Sequence, residues 1–240
     1  MKKVFALTAL CCLMFSPAIS AEIERGFINS NASVNKEMAP DTVEITIEVV
    51  TEDVNSLQVA TVKNKELSDK VYNAMKSMVA ETEGDYVKTS DFSAQPVYYY
   101  VNSKKNFEKY QVSNKVIVHT KLVQKSGELI DKAIELGATN IDNISFMLES
   151  YDTYCDELLV QAAKKSKMRA EGLALASGVR VVGVKNLSGS CNTHNSSPRI
   201  MYNMAAKSES MDSIPAYGAT PISSGTIKLY ANVNASYFVK

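Results

Sequence analysis

The sequence has no tryptophan, and only two histidines and four cysteines among 240 residues. Each scarcity excludes something. Without tryptophan, the usual anchor residue of a membrane–water interface is missing. His119 and His194 offer little material for metal or acid–base chemistry, and neither sits in an HxxxH, HExxH or CxxC spacing. No GxSxG elbow, P-loop or GxGxxG fingerprint occurs. A surplus of one charge is also lacking, because 26 Lys and Arg balance 26 Asp and Glu, which argues against a nucleic-acid binder. These absences point to a protein that is not an enzyme and uses no cofactor or metal.

What is present begins at the N-terminus. Lys2 and Lys3 precede an apolar run from Val4 to Phe15, and Pro17 breaks it before the small residues Ala18, Ser20 and Ala21. That order predicts a secretory signal peptide over residues 1–21, cleaved after Ala21. The apolar run falls short of the roughly 20 residues that span a bilayer, and no later segment approaches that length. The expected product is therefore a soluble periplasmic protein of about 219 residues, spanning 22–240. Its net charge would be about −2 once Lys2 and Lys3 leave. Cys11 and Cys12 leave with the signal. A lipid anchor at Cys11 is disfavoured, since Leu10 is larger than the small residue such sites need.

Hydrophobic content of 45% and charged content of 22% suit one large globular domain or two small lobes. In Thr42–Val50, Val43, Ile45, Ile47 and Val49 alternate with Glu44, Thr46 and Glu48, the pattern of a half-buried strand. A helix follows, with Asp53 as the expected N-cap and apolar residues from Leu57 to Met78 at helical spacing. Val87–Tyr100 and Tyr110–Leu122 read as a hairpin joined by a polar turn from Asn102 to Asn106. Ser126 is the expected N-cap of a short helix that stops at Gly137, and a strand spans Ile141–Leu148. A third helix opens on a Thr153/Asp156 capping box and ends at Gly178. Its expected inward stripe is Cys155, Leu159, Ala162, Ser166, Ala170, Leu173 and Ser177, with Lys164 to Arg169 on a solvated face. A strand at Val179–Leu187 leads into a long irregular loop, 188–224, which is either functional or disordered. The strand Gly225–Val239 closes the chain. The order is ββαββαβαββ, an α+β fold of mainly antiparallel sheets with three packed helices.

The mature chain keeps only Cys155 and Cys191. A helix from Cys155 to Ser177 rises about 33 Å, and a strand to Cys191 can return roughly 40 Å along it. A Cys155–Cys191 disulfide is sterically reasonable on that estimate; the alternative is two separate thiols, one packed and one on the loop. Cys155, near a helix N-terminus, would then be a redox candidate. Met201, Met204 and Met211, close to His194 and Cys191, raise Cu(I) binding, although their spacing is loose.

Several short segments carry a family resemblance. They are Met38–Asp41 leading into the first strand, Thr89–Ser93, Tyr110–Asn114, Leu136–Ala138, Ile144–Leu148, the Ala-rich helix ending at Gly178, and Pro221–Thr226. In this order and spacing they resemble the SIMPL-domain family of exported bacterial proteins. The resemblance implies an α+β fold, periplasmic residence, ring-like homo-oligomers in some members and a link to oxidative or envelope stress. It brings no catalytic residues. The leading expectation is a non-enzymatic homo-oligomer, assembling through the terminal strand Gly225–Val239 as an open edge and through the hairpin bearing Tyr98, Tyr99 and Tyr100. The alternative is a thiol-redox or metal-binding module using Cys155 and Cys191 or the Met-containing loop. Mass spectrometry of the exported protein should find Glu22 as its first residue; an intact residue 1–21 segment would overturn the signal-peptide assignment.

Overall fold

A computed structural model describes residues 25–79, 84–195, 220 and 222–240. The elements run β1 (Phe27–Met38), β2 (Thr42–Asp53), α1 (Leu57–Met78), β3 (Tyr86–Val101), β4 (Lys104–Thr120), α2 (Ser126–Glu135), β5 (Asn140–Met147), α3 (Tyr151–Ala176), β6 (Val181–Asn195) and β7 (Ile227–Val239). This is the α+β order ββαββαβαββ. All strand pairs are antiparallel, in a four-stranded sheet β3-β4-β2-β5 and a three-stranded sheet β1-β7-β6.

The alternation in β2 sets the larger core. Val43, Ile45, Ile47 and Val49 are fully buried and pack with Val116 and Val118 of β4, Val71 and Met75 of α1, and Leu129, Ile130 and Ala133 of α2. The opposite face of the sheet carries Glu44, Glu48, Lys115 and His119, and charges on that side keep it solvated. One polar residue enters the core. Asn64 of α1 donates from Nδ2 to Val49 O (2.8 Å) and Val112 O (3.0 Å), and its Oδ1 accepts from Ser68 Oγ (3.2 Å). It thereby clamps the helix across β2 and β4.

The smaller core lies between α3 and the three-stranded sheet. Leu229, Ala231, Val233, Ala235 and Tyr237 of β7 face Leu158, Ala162 and Ala170 of α3. Small residues let the helix come close. Ser30 Oγ donates to Ser166 O (2.9 Å) and Ser166 Oγ donates back to Ser30 O (3.3 Å), which satisfies two buried hydroxyls reciprocally. Asp41 stitches the two halves where the chain crosses between them. Its Oδ1 accepts from Glu149 N (2.8 Å) and from Thr42 Oγ1 (3.0 Å).

Several local expectations change. Asp53 does not cap α1; its Oδ1 accepts from Asn55 N (2.9 Å) and Ser56 N (2.8 Å), forming the turn before the helix. Those backbone bonds, Asn55 first, hold the Asp53 carboxyl below its ordinary pKa. Ser56 is the N-cap, accepting from Val59 N. Ser126 is already helical, with its hydroxyl donating to Val123 O (2.6 Å), and α3 starts at Tyr151 without a side-chain cap, so the Thr153/Asp156 box is not formed. In α3 the buried stripe is Cys155, Leu158, Ala162, Ser166, Ala170 and Ala174, while Leu173 stays exposed. The hairpin turn is only Asn102–Ser103, both at positive φ (49° and 63°), as a two-residue turn matched to strand twist requires. Gly137 and Gly178 end their helices as expected, at φ +107° and +73°. In each case an amide beyond the glycine reaches back, Ala138 N to Ala133 O and Val179 N to Ala174 O.

Two larger corrections concern the C-terminal third. The expected irregular loop 188–224 begins too early, because β6 continues to Asn195. Polar Ser188, Ser190 and Asn192 give no hydrophobic signal, yet the backbone pairs with β7 from Asn234 to Ile227. The remainder, 196–219 and 221, lies outside the described residues. The terminal strand, moreover, is not an open edge: β7 is the centre of its sheet, paired on both sides. Replacing Asn64 with Ala should cost about 2–4 kcal/mol, since two buried carbonyls lose their donor. Urea unfolding measures this, and a loss near zero would contradict the clamp.

Candidate functional site

Among the described residues the far end of the β3–β4 hairpin is covered by no further strand. β2 pairs with β4 only as far as Asp53↔Tyr110, whereas β3 and β4 continue together to Val101↔Lys104. Beyond Pro96 the hairpin is therefore a two-stranded arm, about 16 Å long at 3.3 Å per residue. Its surface is aromatic. Tyr98 and Phe107 meet edge to face at 6.0 Å, Phe107 tilts against Tyr110 at 4.9 Å, and Lys105 Nζ sits 3.8 Å from the Tyr98 ring centroid. Tyr98, Tyr99, Tyr100, Val101 and Phe107 are each 40% exposed or more, and Tyr100 reaches 68%. At the base, Lys109 bonds Glu52 at 2.9 Å, and that contact raises the Lys109 pKa above the ordinary lysine value. Two-stranded ribbons are marginal in water by themselves, so an arm with this much uncovered aromatic surface is chemically suited to burial against another protein surface.

The second feature is covalent. Cys155, in the first turns of α3, and Cys191, on β6, are joined by a disulfide with Cα atoms 5.8 Å apart. Register explains the meeting: Cys191 lies opposite Ala231, whose side chain is buried on the α3 side of β7. Tyr151 OH donates to Cys191 O (3.3 Å), a further tie between α3 and β6. Cys155 is 5% exposed, so its sulfur is shielded from exchange. His194 lies three residues further along the same strand, and Met201, Met204 and Met211 lie outside the described residues. Among the described residues no group of three or more His, Cys, Asp or Glu could hold a metal ion.

His119 lies elsewhere, on the charged face of the four-stranded sheet. Its ring stacks on Tyr86 (centroids 4.7 Å apart, planes 3° from parallel), and Tyr86 OH donates to Glu44 Oε2 (3.1 Å). His119 Nδ1 is 3.8 Å from that same carboxylate oxygen. The trio is a cross-strand cluster in register, Glu44↔His119↔Tyr86. Sequence reading places Tyr110 in the second hairpin strand and notes the tyrosines and the cysteines, but leaves Phe107 outside both strands; in register it lies opposite Tyr98. It also read Lys165 and Arg169 as merely solvated. They donate to Ser33 O (3.1 Å) and Asn31 O (2.7 Å), capping the outer carbonyls of β1.

Among the described residues no helix is long and apolar enough to cross a membrane. The family model described as SIMPL, protein of unknown function (DUF541), matches residues 28–237. No curated protein matches the chain. Removing the disulfide, by reduction or by Cys155→Ala with Cys191→Ala, should lower stability by roughly 4 kcal/mol for a 36-residue separation. Denaturant melts with and without reductant measure it; identical midpoints would mean that the link does not constrain the unfolded chain.

Proposed function

The chain belongs to the SIMPL family, and on that premise we propose that it is an exported, non-enzymatic envelope protein that assembles with copies of itself and contributes to oxidative and envelope stress tolerance. The observation that carries the assembly reading is the aromatic arm. Val97–Val101 and Lys104–Lys109 extend past the sheet with Tyr99, Tyr100 and Val101 uncovered, an apolar cost that a second copy would relieve. Periplasmic residence is supported by the Lys2–Ala21 segment alone. The absence of nucleophile, metal and cofactor motifs in the sequence supports a role through binding and assembly.

Native mass measurement of the protein beginning at Glu22 should give a multiple of the chain mass. Changing Tyr98, Tyr99 and Tyr100 together to Ser should shift it toward monomer while leaving the circular dichroism spectrum intact. A strict monomer at high concentration would overturn the assembly reading. For the stress role, a deletion strain should lose peroxide tolerance, and the wild-type gene but not the arm variant should restore it.

A further inference from the structure

α3 is not seated evenly over its sheet. β1 and β7 are held to it without covalent help: Ser30 and Ser166 exchange hydrogen bonds, Lys165 and Arg169 reach the carbonyls of Ser33 and Asn31, and Ala231, Val233 and Ala235 pack beneath the helix. β6 is a border strand, and β7 is its only strand neighbour among the described residues. Register sets the inward row of its distal half, Ser188–Asn195: Gly189 lies opposite Val233, Cys191 opposite Ala231 and Thr193 opposite Leu229. Gly189 contributes no side chain, and Leu159 Cδ2 of α3 lies 2.9 Å from where its β-carbon would be. Thr193 is polar and exposed. From Ser188 to Thr193, Cys191 is therefore the one inward side chain that ties the strand to the helix, through the sulfur of Cys155. The side-chain hydrogen bonds that help it are long for hydroxyl donors, Tyr151 OH to Cys191 O at 3.3 Å and Ser188 Oγ to Asn234 O at 3.4 Å.

We propose that the Cys155–Cys191 bond is a reducible lock on this distal half, opened at Cys191 by a dithiol partner. A strand paired along one edge and lacking an apolar face gains little from burial, and a two-stranded pairing alone is marginal in water. Cutting the bond lets Ser188–Asn195 leave β7 as a local unit. The proximal half stays, because Val181 packs against the smaller core and Arg180 and Lys240 exchange backbone hydrogen bonds of 2.9 and 3.0 Å. The opened state bares the edge of β7 from Ile227 to Asn234, a row of backbone donors and acceptors able to pair with another strand. The chemistry runs from the accessible side. Cys155 is 5% exposed, whereas Cys191 is only half-buried on the border strand, so an incoming thiolate meets Cys191 first. Its sulfur bonds to Cys191 Sγ as the Cys155–Cys191 bond breaks, and Cys155 leaves as a thiolate that takes up a proton. The partner's second thiolate then attacks the mixed disulfide and expels Cys191. Two electrons and two protons reach the protein, and the partner ends as a disulfide.

The lock lies on a different sheet from the aromatic arm and does not rest on assembly, so the two proposals fail separately. Hydrogen exchange of the protein from Glu22 onward, followed by mass spectrometry, reads its state. Reduction with a phosphine, or Cys155→Ser together with Cys191→Ser, should speed exchange in peptides covering 188–195 at least about tenfold, and reoxidation of the wild type should reverse it. Peptides from β1 and β2 should keep their rates. Unchanged exchange at 188–195 in both forms would overturn the lock. Equal acceleration across β1 and β6, or loss of the folded circular dichroism spectrum, would overturn it too, because the bond would then staple the whole fold. For the direction of opening, a thioredoxin whose resolving cysteine is replaced by serine should be trapped on Cys191. An adduct on Cys155, or no adduct, would refute opening at Cys191 by a dithiol.

Discussion

The smaller half of the molecule depends on β7 being paired along both of its edges. β1 and β7 join Phe27 to Phe238 and Met38 to Ile227, partners separated by almost the whole described chain. Such a long closure is slow to form and is repaid only once the whole strand zips. Its register then dictates the rest. Ala231, Val233 and Ala235 are turned toward α3, where they meet small residues that let the helix sit close. Cys191, opposite Ala231, is thereby brought to the start of that helix, and the alternating asparagines and serines are turned the other way. One pairing thus places the core, the disulfide and the polar face together.

The larger half is built on shorter-range logic. β2 lies between β4 and β5, so its apolar face is enclosed by both neighbours and roofed by α1 and α2. Asn64 and Thr51 supply the few polar ties that such a core needs, the Thr51 hydroxyl donating to Ala60 O at 2.7 Å. What this half cannot enclose is the length by which β3 and β4 overrun β2. The aromatic arm follows from unequal strand lengths, which leave Tyr99, Tyr100 and Val101 exposed.

Much of this was legible in the sequence where one physical signal dominated. Val43 to Val49 declare a half-buried strand because their alternation is unbroken, and Gly137 and Gly178 mark helix ends because few other residues accept their backbone angles. Legibility failed where the determinant is non-local or where two side chains compete. Nothing near Ile227–Val239 reveals that residues 27–38 will cover its second edge, so a central strand reads as an open one. Ser188 to Asn195 lack an apolar face and read as loop, although each of them pairs in register with β7 along one edge. In α3 the mixture of small and large residues leaves the stripe ambiguous by one position, hence Leu158 and Ala174 in place of Leu159 and Leu173. The polar face was invisible for a related reason: its three strands are far apart in sequence, and only their pairing makes a surface of them.

The two cations that close the outer carbonyls of β1 give the sheet a polarity. Lys165 and Arg169 occupy acceptors of β1 at Ser33 and Asn31, whereas among the described residues no strand pairs with the outer side of β6. The two borders of this sheet are therefore chemically unequal: a strand pairing with β1 would first have to displace two side-chain cations from their carbonyls, whereas β6 carries no such plug among the hydrogen bonds of the described residues.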